Sequence, residues 1–470
     1  MKKVFVSGDF NILHPGHLRL LKFAKESGTY LTVGVNSDSI SDKCIAQDVR
    51  LESIEATSYV DEAFIMDYSA VSYIQKYKPD IVVKGREFAN KFNPEREIIN
   101  AYGGQLLFSS GEIGFSSIDL LKREFASMSH NVTHHTSYLT RHELNLEDFH
   151  DIVEKFADLN VLVIGDTIID EYILCEPLGM SQEDPTIVVS PLASNKFIGG
   201  AAIVASHART LGANVKFISV VGDDENQEYL KDGLDALGIE SSLYRDTSRP
   251  TTLKQRFRAN SKTLLRVNHL KQHAISSEIE EKIIDEINEH ISKIDVILFS
   301  DFSYGVLSKN LIDVVTTLGK NNGILMAADS QSSSQIGDIS KFKEMTLVTP
   351  TEREIRLSLN DFESGLVVLS SKLTENTNAK YIFTTLGAEG VMIYNSAENE
   401  LLTDNINAIG NVVKDVSGAG DSLLTCSAMA LAVGTSVWKS AYLGSIAAAI
   451  QVSRVGNIPI KKDELLEELD

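Results

Sequence analysis

The chain is poor in cysteine, in basic charge and in long apolar runs, and each shortage excludes something. Its three cysteines, Cys44, Cys175 and Cys426, lie far apart and form no CxxC pair, which argues against a disulfide framework and fits free thiols in a reducing cytosol. Lys and Arg number 44 against 65 Asp and Glu, a net charge of -21. So acidic a balance disfavours nucleic acid and anionic membranes, and any phosphate site must be local, built from loop amides and a few cations. The most apolar stretches, 423–433 and 443–452, are broken by Ser, Thr, Gly or Gln, and neither is a credible membrane span. The start MKKVFVSGDF has an apolar run too short for a secretory signal, so a cytoplasmic location is expected.

What is present is an α/β alternation, met twice within 470 residues, enough for two or three cores. KVFVSG, YLTVGVNSD (30–38), PDIVVKG (79–85) and GGQLLFSS (103–110) read as strands, and Leu18, Leu21 and Ala24 as one helix face. Strands alternating with helices predict a doubly wound parallel sheet. The segment 127–150 is polar and holds five of the 11 histidines (His130, His134, His135, His142, His150). Their spacing fits no familiar metal cluster, so 127–155 is read as a solvated linker with a short helical lead-in. From 160 the pattern resumes with NVLVIGD, VKFISVVGDD, DVILFSD, GILMAAD, MTLVTP and YIFTTLG. Ligands of open α/β sheets collect outside the carboxyl ends of the strands. The Asp and Gly residues ending these runs are therefore site candidates as a set, with ordinary turns as the alternative.

GDFNILHPGHLRLLKFAK (8–25) places two histidines where a strand hands over to a helix. Gly8 permits a tight turn, Gly16 lets the backbone approach a ligand, and the helix start offers unpaired N–H groups to an anion. His14 and His17 can then donate to a phosphate as its charge rises. The HxGH stretch resembles the signature of the cytidylyltransferase-like nucleotidyltransferases. VGVNSD (33–38), VVKG (82–85) and GFSSIDLLKR (114–123) are similar to further family segments. The resemblance spans about residues 1–126 and implies attack on the α-phosphate of ATP or CTP. It assigns nucleotide contacts to Gly8, Asp9, Phe10, Gly16, Lys43, Lys84, Gly85, Ser116 and Ser117. Lys43 can equally be an exposed loop lysine. Asn11 stands where the family carries Asp.

DVSGAGDSLL (415–424) is the strongest signal. Gly418, Ala419 and Gly420 open an apolar helix, and their amides would form an anion hole for a transferring phosphoryl group. Asp421 is placed to take the proton of an attacking sugar hydroxyl. The segment resembles the GAGD signature of the ribokinase-like, PfkB-type carbohydrate kinases, a match extending over 156–470. By that resemblance GDTIIDEY contributes Asp170 to the sugar, IGGAAIVA contributes Gly199 and Gly200, and TTLGAEGV contributes Thr385, Gly387 and Gly390 to the nucleotide. TPTERE contributes Glu354, which would organise Mg²⁺ through water. SQEDPTIVV, TLKQRF and FSDFSYGVL resemble the heptose-7-phosphate kinases, bringing in Asp301. Lys254 and Arg256 are candidate clamps for a substrate phosphate, or else exposed strand residues. Ile203 and Thr351 stand where the kinases have Asn, and Asn268 where heptose kinases tend to have Asp.

The expectation is a two-domain α/β enzyme: a Rossmann-like nucleotidyltransferase (1–126), a linker (127–155), and a ribokinase-like domain with a small β lid (156–470). The kinase would use ATP and Mg²⁺ to phosphorylate the anomeric hydroxyl of a heptose-7-phosphate-like sugar. The transferase would join the 1-phosphate to ATP or CTP, releasing pyrophosphate. A different sugar or polyol phosphate, or one half serving only as a binding module, are the alternatives. The resemblance also implies a homodimer through the lid.

Overall fold

A computed structural model describes residues 2–11, 13, 15–39, 45–85, 93–108, 132, 134, 136–259, 262–332, 337–397, 403–410 and 412–469. The chain divides into two compact units, Met1–Ser129 and His130–Asp470.

The first unit is built on β1 (Lys3–Gly8), β2 (Tyr30–Asn36), β3 (Glu62–Met66), β4 (Ile81–Lys84) and β5 (Gln105–Phe108), all parallel, in the order β3-β2-β1-β4-β5. The VFV run of β1 is buried because both faces of the sheet are covered. Val4 and Val6 pack with Leu21, Ala24 and Val33, while Phe5 packs with Met66, Ile74 and Ile99 on the other face. Leu18, expected on the buried face, is 40% exposed, whereas Leu21 and Ala24 are fully covered. Steps of three on a 3.6-residue helix drift by about 60° each, which turns Leu18 out to solvent. The short strand EAFIM (β3) escaped the sequence reading. Strand order reverses between β1 and β4, so the crevice of this sheet opens beyond Gly8 and Lys84.

The second unit has a nine-stranded sheet in the order β10-β9-β6-β13-β14-β15-β16-β17-β18. Its strands are β6 (Asn160–Gly165), β9 (Asn214–Val221), β10 (Glu240–Arg245), β13 (Val296–Asp301), β14 (Leu325–Ser330), β15 (Leu347–Val348), β16 (Tyr381–Thr385), β17 (Val391–Asn395) and β18 (Thr403–Ile406). It is parallel as far as β16, with β17 and β18 antiparallel at the edge. Alternate residues of β6 serve two cores: Val161 and Val163 one, Leu162 and Ile164 the other. A four-stranded sheet, β12-β11-β7-β8, forms the lid from β7 (Thr167–Met180), β8 (Ile187–Gly200), β11 (Leu253–Ala259) and β12 (Lys262–His269). The chain enters it through Gly165, where a Cβ would lie 1.9 Å from the carbonyl oxygen of Ser300.

The expected linker and helical lead-in prove to be packed into the second unit's core rather than solvated. Helices Thr136–Arg141 and Glu147–Glu154 lie within this segment, and Tyr138, Phe149, Ile152, Val153 and Phe156 are buried in the core of the second unit. Phe149, Ile152, Val153 and Phe156 stand at i, i+3, i+4 and i+7, an apolar helix face too short to stand out from its polar neighbours.

Candidate active sites

In the first unit the turn after β1 is fixed from behind. Arg50, 1% exposed, donates from Nη1 to the Asp9 carbonyl (2.6 Å), from Nε to the Ile45 carbonyl (2.9 Å) and from Nη2 to Asp38 (2.5 Å). Asn36 Nδ2 donates to Asp9 Oδ1 at 2.5 Å. Phe10 adopts φ 47° and is buried, its ring against the His17 imidazole at 5.2 Å edge-on. Helix Pro15–Ser27 opens here, with Gly16 and His17 in its first turn. Lys84, ending β4 beside Gly85, is 3.0 Å from Glu95 Oε1. Gly8, Asp9, Phe10, His17, Lys84 and Gly85 thus gather at the two strand ends that flank the order reversal. Asn11 is buried with no partner for its Oδ1. His14, Lys43, Ser116 and Ser117 lie outside the described residues.

The second unit holds a cleft of about 920 Å³. It is lined by Asp170, Gly200, Lys254, Arg256, Glu354, Thr385, Gly387, Gly390 and the run Gly418–Asp421, residues spread over 250 positions of sequence. At the centre, Gly418 (φ 79°) caps helix Ala419–Ala432, leaving the first amides of that helix without helical partners. A Cβ at Gly420 would meet nothing closer than Asp329 Oδ2 at 4.0 Å. Asp421, in the first turn, is 4% exposed and accepts from Gln331 Nε2 at 2.9 Å. Burial, and then the negative charge of Asp170, push its carboxyl up to about 7.

The lid supplies one end of the cleft. Strands β7 and β11 pair in parallel with Lys254 opposite Asp170 and Arg256 opposite Tyr172. Arg256 Nη2 is 3.1 Å from Asp170 Oδ1, and its Nη1 donates to Tyr172 Oη (3.1 Å) and Ser417 Oγ (3.0 Å). Burial raises the Asp170 carboxyl in spite of the opposing Arg256 and Lys254 charges. Lys254 Nζ sits over the rings of Phe302 (5.2 Å) and Tyr304 (5.4 Å). Both rings are carried on a loop that Asp166 ties down, its carboxylate accepting from the amides of Phe302, Tyr304 and Val306 at 2.9–3.2 Å.

At the other end, Glu354 is buried in a capping box. Its Oε2 accepts from the Thr351 amide and hydroxyl, both at 2.8 Å, and its Oε1 from the Ser332 amide at 2.6 Å. Gly387 (φ 60°) has open space where a Cβ would project, whereas at Gly390 (φ 96°) a Cβ would fall 2.0 Å from the Ile406 carbonyl. The turn they bound packs directly on β18.

Two expectations are corrected. Asp301 does not line the cleft; it is buried beneath it, accepting from Ser330 Oγ (2.6 Å) and pairing with Lys341 Nζ (2.8 Å), because β13 ends one position short of the loop that reaches the cavity. Gly199 is not on the wall either. It lies behind Asp170, whose Oδ2 would be 2.6 Å from a Cβ there. Ile203 is fully buried in helix Ala201–Thr210, away from the cleft lining. Asn457, which does line it, donates to Asp170 Oδ2 at 3.4 Å. The sequence reading missed Asn457 and Gln331, and reached Asp329 only as one member of a set. Asp329 belongs to the set of strand-ending acids, and burial with the charges of Glu354 and Asp421 holds its carboxyl well above the usual range.

A lidded parallel sheet with a buried carboxylate at a glycine-led helix start defines a sugar-kinase type of unit. The sequence model of the pfkB family carbohydrate kinases matches residues 158–463, and that of the cytidylyltransferase-like family matches 5–110. The chain belongs to the pfkB carbohydrate kinase family, and carries a cytidylyltransferase-like domain ahead of the kinase. Among its relatives, the bifunctional protein HldE of Desulfatibacillum aliphaticivorans is 31% identical over 332 residues, covering 69% of this chain and 66% of the relative. That of Geotalea uraniireducens is 28% identical over 328 residues, covering 69% and 65%. This chain thus spans slightly under two thirds of the length of these relatives. In fold, the second unit is similar to the ribokinase of Thermotoga maritima (TM-score 0.53, 21% identity, 65% of this chain and 98% of the other). It is likewise similar to phosphofructokinase-2 of Escherichia coli (TM-score 0.55, 16% identity, 66% and 98%). Among the described residues no helix is long and apolar enough to cross a membrane.

Proposed function

We propose that the chain is a bifunctional enzyme of nucleotide-activated sugar synthesis, phosphorylating a heptose-7-phosphate-like sugar at its anomeric hydroxyl and then transferring a nucleotidyl group from ATP or CTP onto the 1-phosphate. The observation that carries it is the buried Asp421, facing the same cleft as Asp170 and Arg256 from the helix start at Gly418–Gly420. Asp170 orients the sugar; Asp421 takes the proton of the attacking hydroxyl, whose oxygen bonds to the γ-phosphorus as ADP leaves. The amides at Gly418–Gly420 stabilise the charge that develops on the phosphoryl oxygens. Lys254, half-sheathed by two rings, is suited to the substrate's distal phosphate. The apolar far end, with Ile409, Val413, Ala449 and Val452 near Gly387, suits a nucleobase.

No three acidic, His or Cys groups among the described residues stand close enough to share a metal ion. Asp329 feels the charges of both Glu354 and Asp421, and these three carboxylates suit a hydrated Mg²⁺ held through water, which would neutralise phosphate charge. In the first unit, His17 and Lys84, at the carboxyl ends of β1 and β4, would hold a triphosphate, with pyrophosphate as leaving group.

The heptose assignment rests on the resemblance of 181–189, 252–257 and 299–307 to heptose-7-phosphate kinases. We assign the enzyme to the cytoplasm, in keeping with the free buried thiols of Cys175 and Cys426. It would act as a homodimer through the lid, where Leu178, Met180, Ile187, Leu192 and Leu265 are each more than half exposed. Incubation with Mg²⁺, ATP or CTP and a panel of sugar phosphates, read by mass spectrometry, tests the proposal. A nucleotide-sugar is expected, and its absence from every combination refutes it.

A further inference from the structure

The histidine-rich segment ahead of the kinase has a place that its composition did not suggest. Residues 132–157 belong to the second unit but precede the stretch matched by the kinase family model, which begins at 158. Within them, the His142 side chain is 6% exposed, stacks on Trp438 (4.3 Å between centroids, 15° between planes) and meets Asp404 Oδ2 through Nε2 at 2.7 Å. Arg141 grips the same carboxylate with two parallel bonds, Nε to Oδ2 and Nη2 to Oδ1, each 3.0 Å. Such forked, charge-assisted pairs fix geometry as well as adding energy. Burial opposes ionisation of Asp404, but the bonds from Arg141, His142 and the Asn405 amide prevail and hold its carboxyl below the usual range. Ten residues upstream, Val132 forms a β-bridge with Gly410, and its amide donates to Glu468 Oε2 at 3.0 Å.

Both attachment points lie on one short segment. Asp404 is in β18, opposite Ile393, and Ile406 of the same strand is opposite Val391. Immediately after it, residues 406–410 line the cleft, next to the Gly387–Gly390 turn that packs on the Ile406 carbonyl. Strand β18 is the edge of its sheet, hydrogen-bonded to β17 alone. Without a second strand beside it, the position of 406–410 depends on whatever braces that edge.

We propose that Arg141, His142 and Asp404 are positioning residues for the nucleotide end of the kinase cleft, bracing β18 so that residues 406–410 are preformed to receive the ATP base. The inference rests on the kinase reading of this cleft. The brace touches neither the sugar end nor Asp421, so its loss acts on nucleotide affinity and leaves the chemical step alone. Binding to a site that must first be ordered is weakened by the fraction of molecules in which it is competent.

The test uses the full chain. ATP binding is measured by calorimetric titration with sugar absent, and kinase kcat and both KM values are measured with saturating co-substrate. For Arg141→Ala/His142→Ala and for Asp404→Ala, ATP Kd and KM should rise about tenfold, the effect expected of losing charge-assisted bonds. kcat and the sugar KM should stay within about twofold of wild type. His142→Gln, whose amide can still donate to Asp404, should recover most of the affinity. Thermal unfolding of each variant shows whether it is folded at the assay temperature. Variants that are folded and bind ATP as tightly as wild type overturn the brace. Equal losses in kcat and in both KM values also overturn it, since they mark general damage. A wild-type chain that binds no ATP at all overturns both the brace and the kinase reading beneath it.

Discussion

Asp421→Asn should remove kinase activity and make the second unit more stable, a combination that follows from where the carboxyl is buried. Its environment raises it from 3.8 to about 7, so above pH 7 the folded chain holds an ionised group that burial and Asp170 both disfavour. Holding it costs about 4 kcal/mol at pH 8. The sign is that of a raised carboxyl: the penalty is absent below about 3.8, grows as pH rises, and is complete above about 7. Asn is isosteric, carries no charge, and keeps an oxygen to accept from Gln331. The variant should therefore unfold later in urea at pH 8, by up to about 1 M for a slope near 3 kcal/mol/M. The advantage should shrink as pH is lowered to 5. Trp438 is the chain's single tryptophan and lies buried in the second unit, so its fluorescence follows this unit specifically. Phosphoryl transfer, lacking its base, should fall by about 10²–10⁴-fold, while nucleotidyl transfer to a supplied sugar 1-phosphate persists. A variant no more stable than wild type at pH 8, or an advantage that does not change with pH, would refute the reasoning. Loss of both activities would refute the two-site assignment.

The kinase kcat/KM should fall about tenfold per pH unit below a midpoint near 7, as Asp421 takes up its proton. Asp170→Asn removes the neighbouring negative charge and should move that midpoint down, visible in the residual activity profile. His17→Ala should abolish nucleotidyl transfer while kinase activity continues, so that the sugar 1-phosphate accumulates in a coupled assay followed by mass spectrometry. Gly390→Ala forces a Cβ to within 2.0 Å of the Ile406 carbonyl at φ 96°. It should raise the ATP KM and cost more than about 1 kcal/mol of stability, read from Trp438 unfolding; an unchanged ATP KM would count against the 387–390 turn as part of the nucleotide site.

The six central strands of the kinase unit and four of the five in the first unit were legible because each is an apolar run ended by Gly, Asp, Ser or Pro. The lid was not legible from pattern, because β7 is buried on both faces at its start and exposed on both beyond Cys175, so neither half shows a strict alternation. Gly418–Asp421 was readable because backbone amides at a helix start need small residues in a fixed local order. Gln331 and Asn457 were not, since what matters about each is a partner far off in sequence; Asp329 was readable only as one strand-ending acid among several.

For this protein the sequence alone determined everything set by local chemistry: the two α/β halves, the HxGH turn, and the glycine-led helix carrying Asp421. Only the tertiary structure decided how those pieces share space. It turned Asp301 from a substrate contact into a buried partner of Lys341. It also converted a polar, histidine-rich stretch into packed helices that grip Asp404. The physical reason is that burial, charge and hydrogen bonding depend on distance in space, and a single sequence records only distance along the chain.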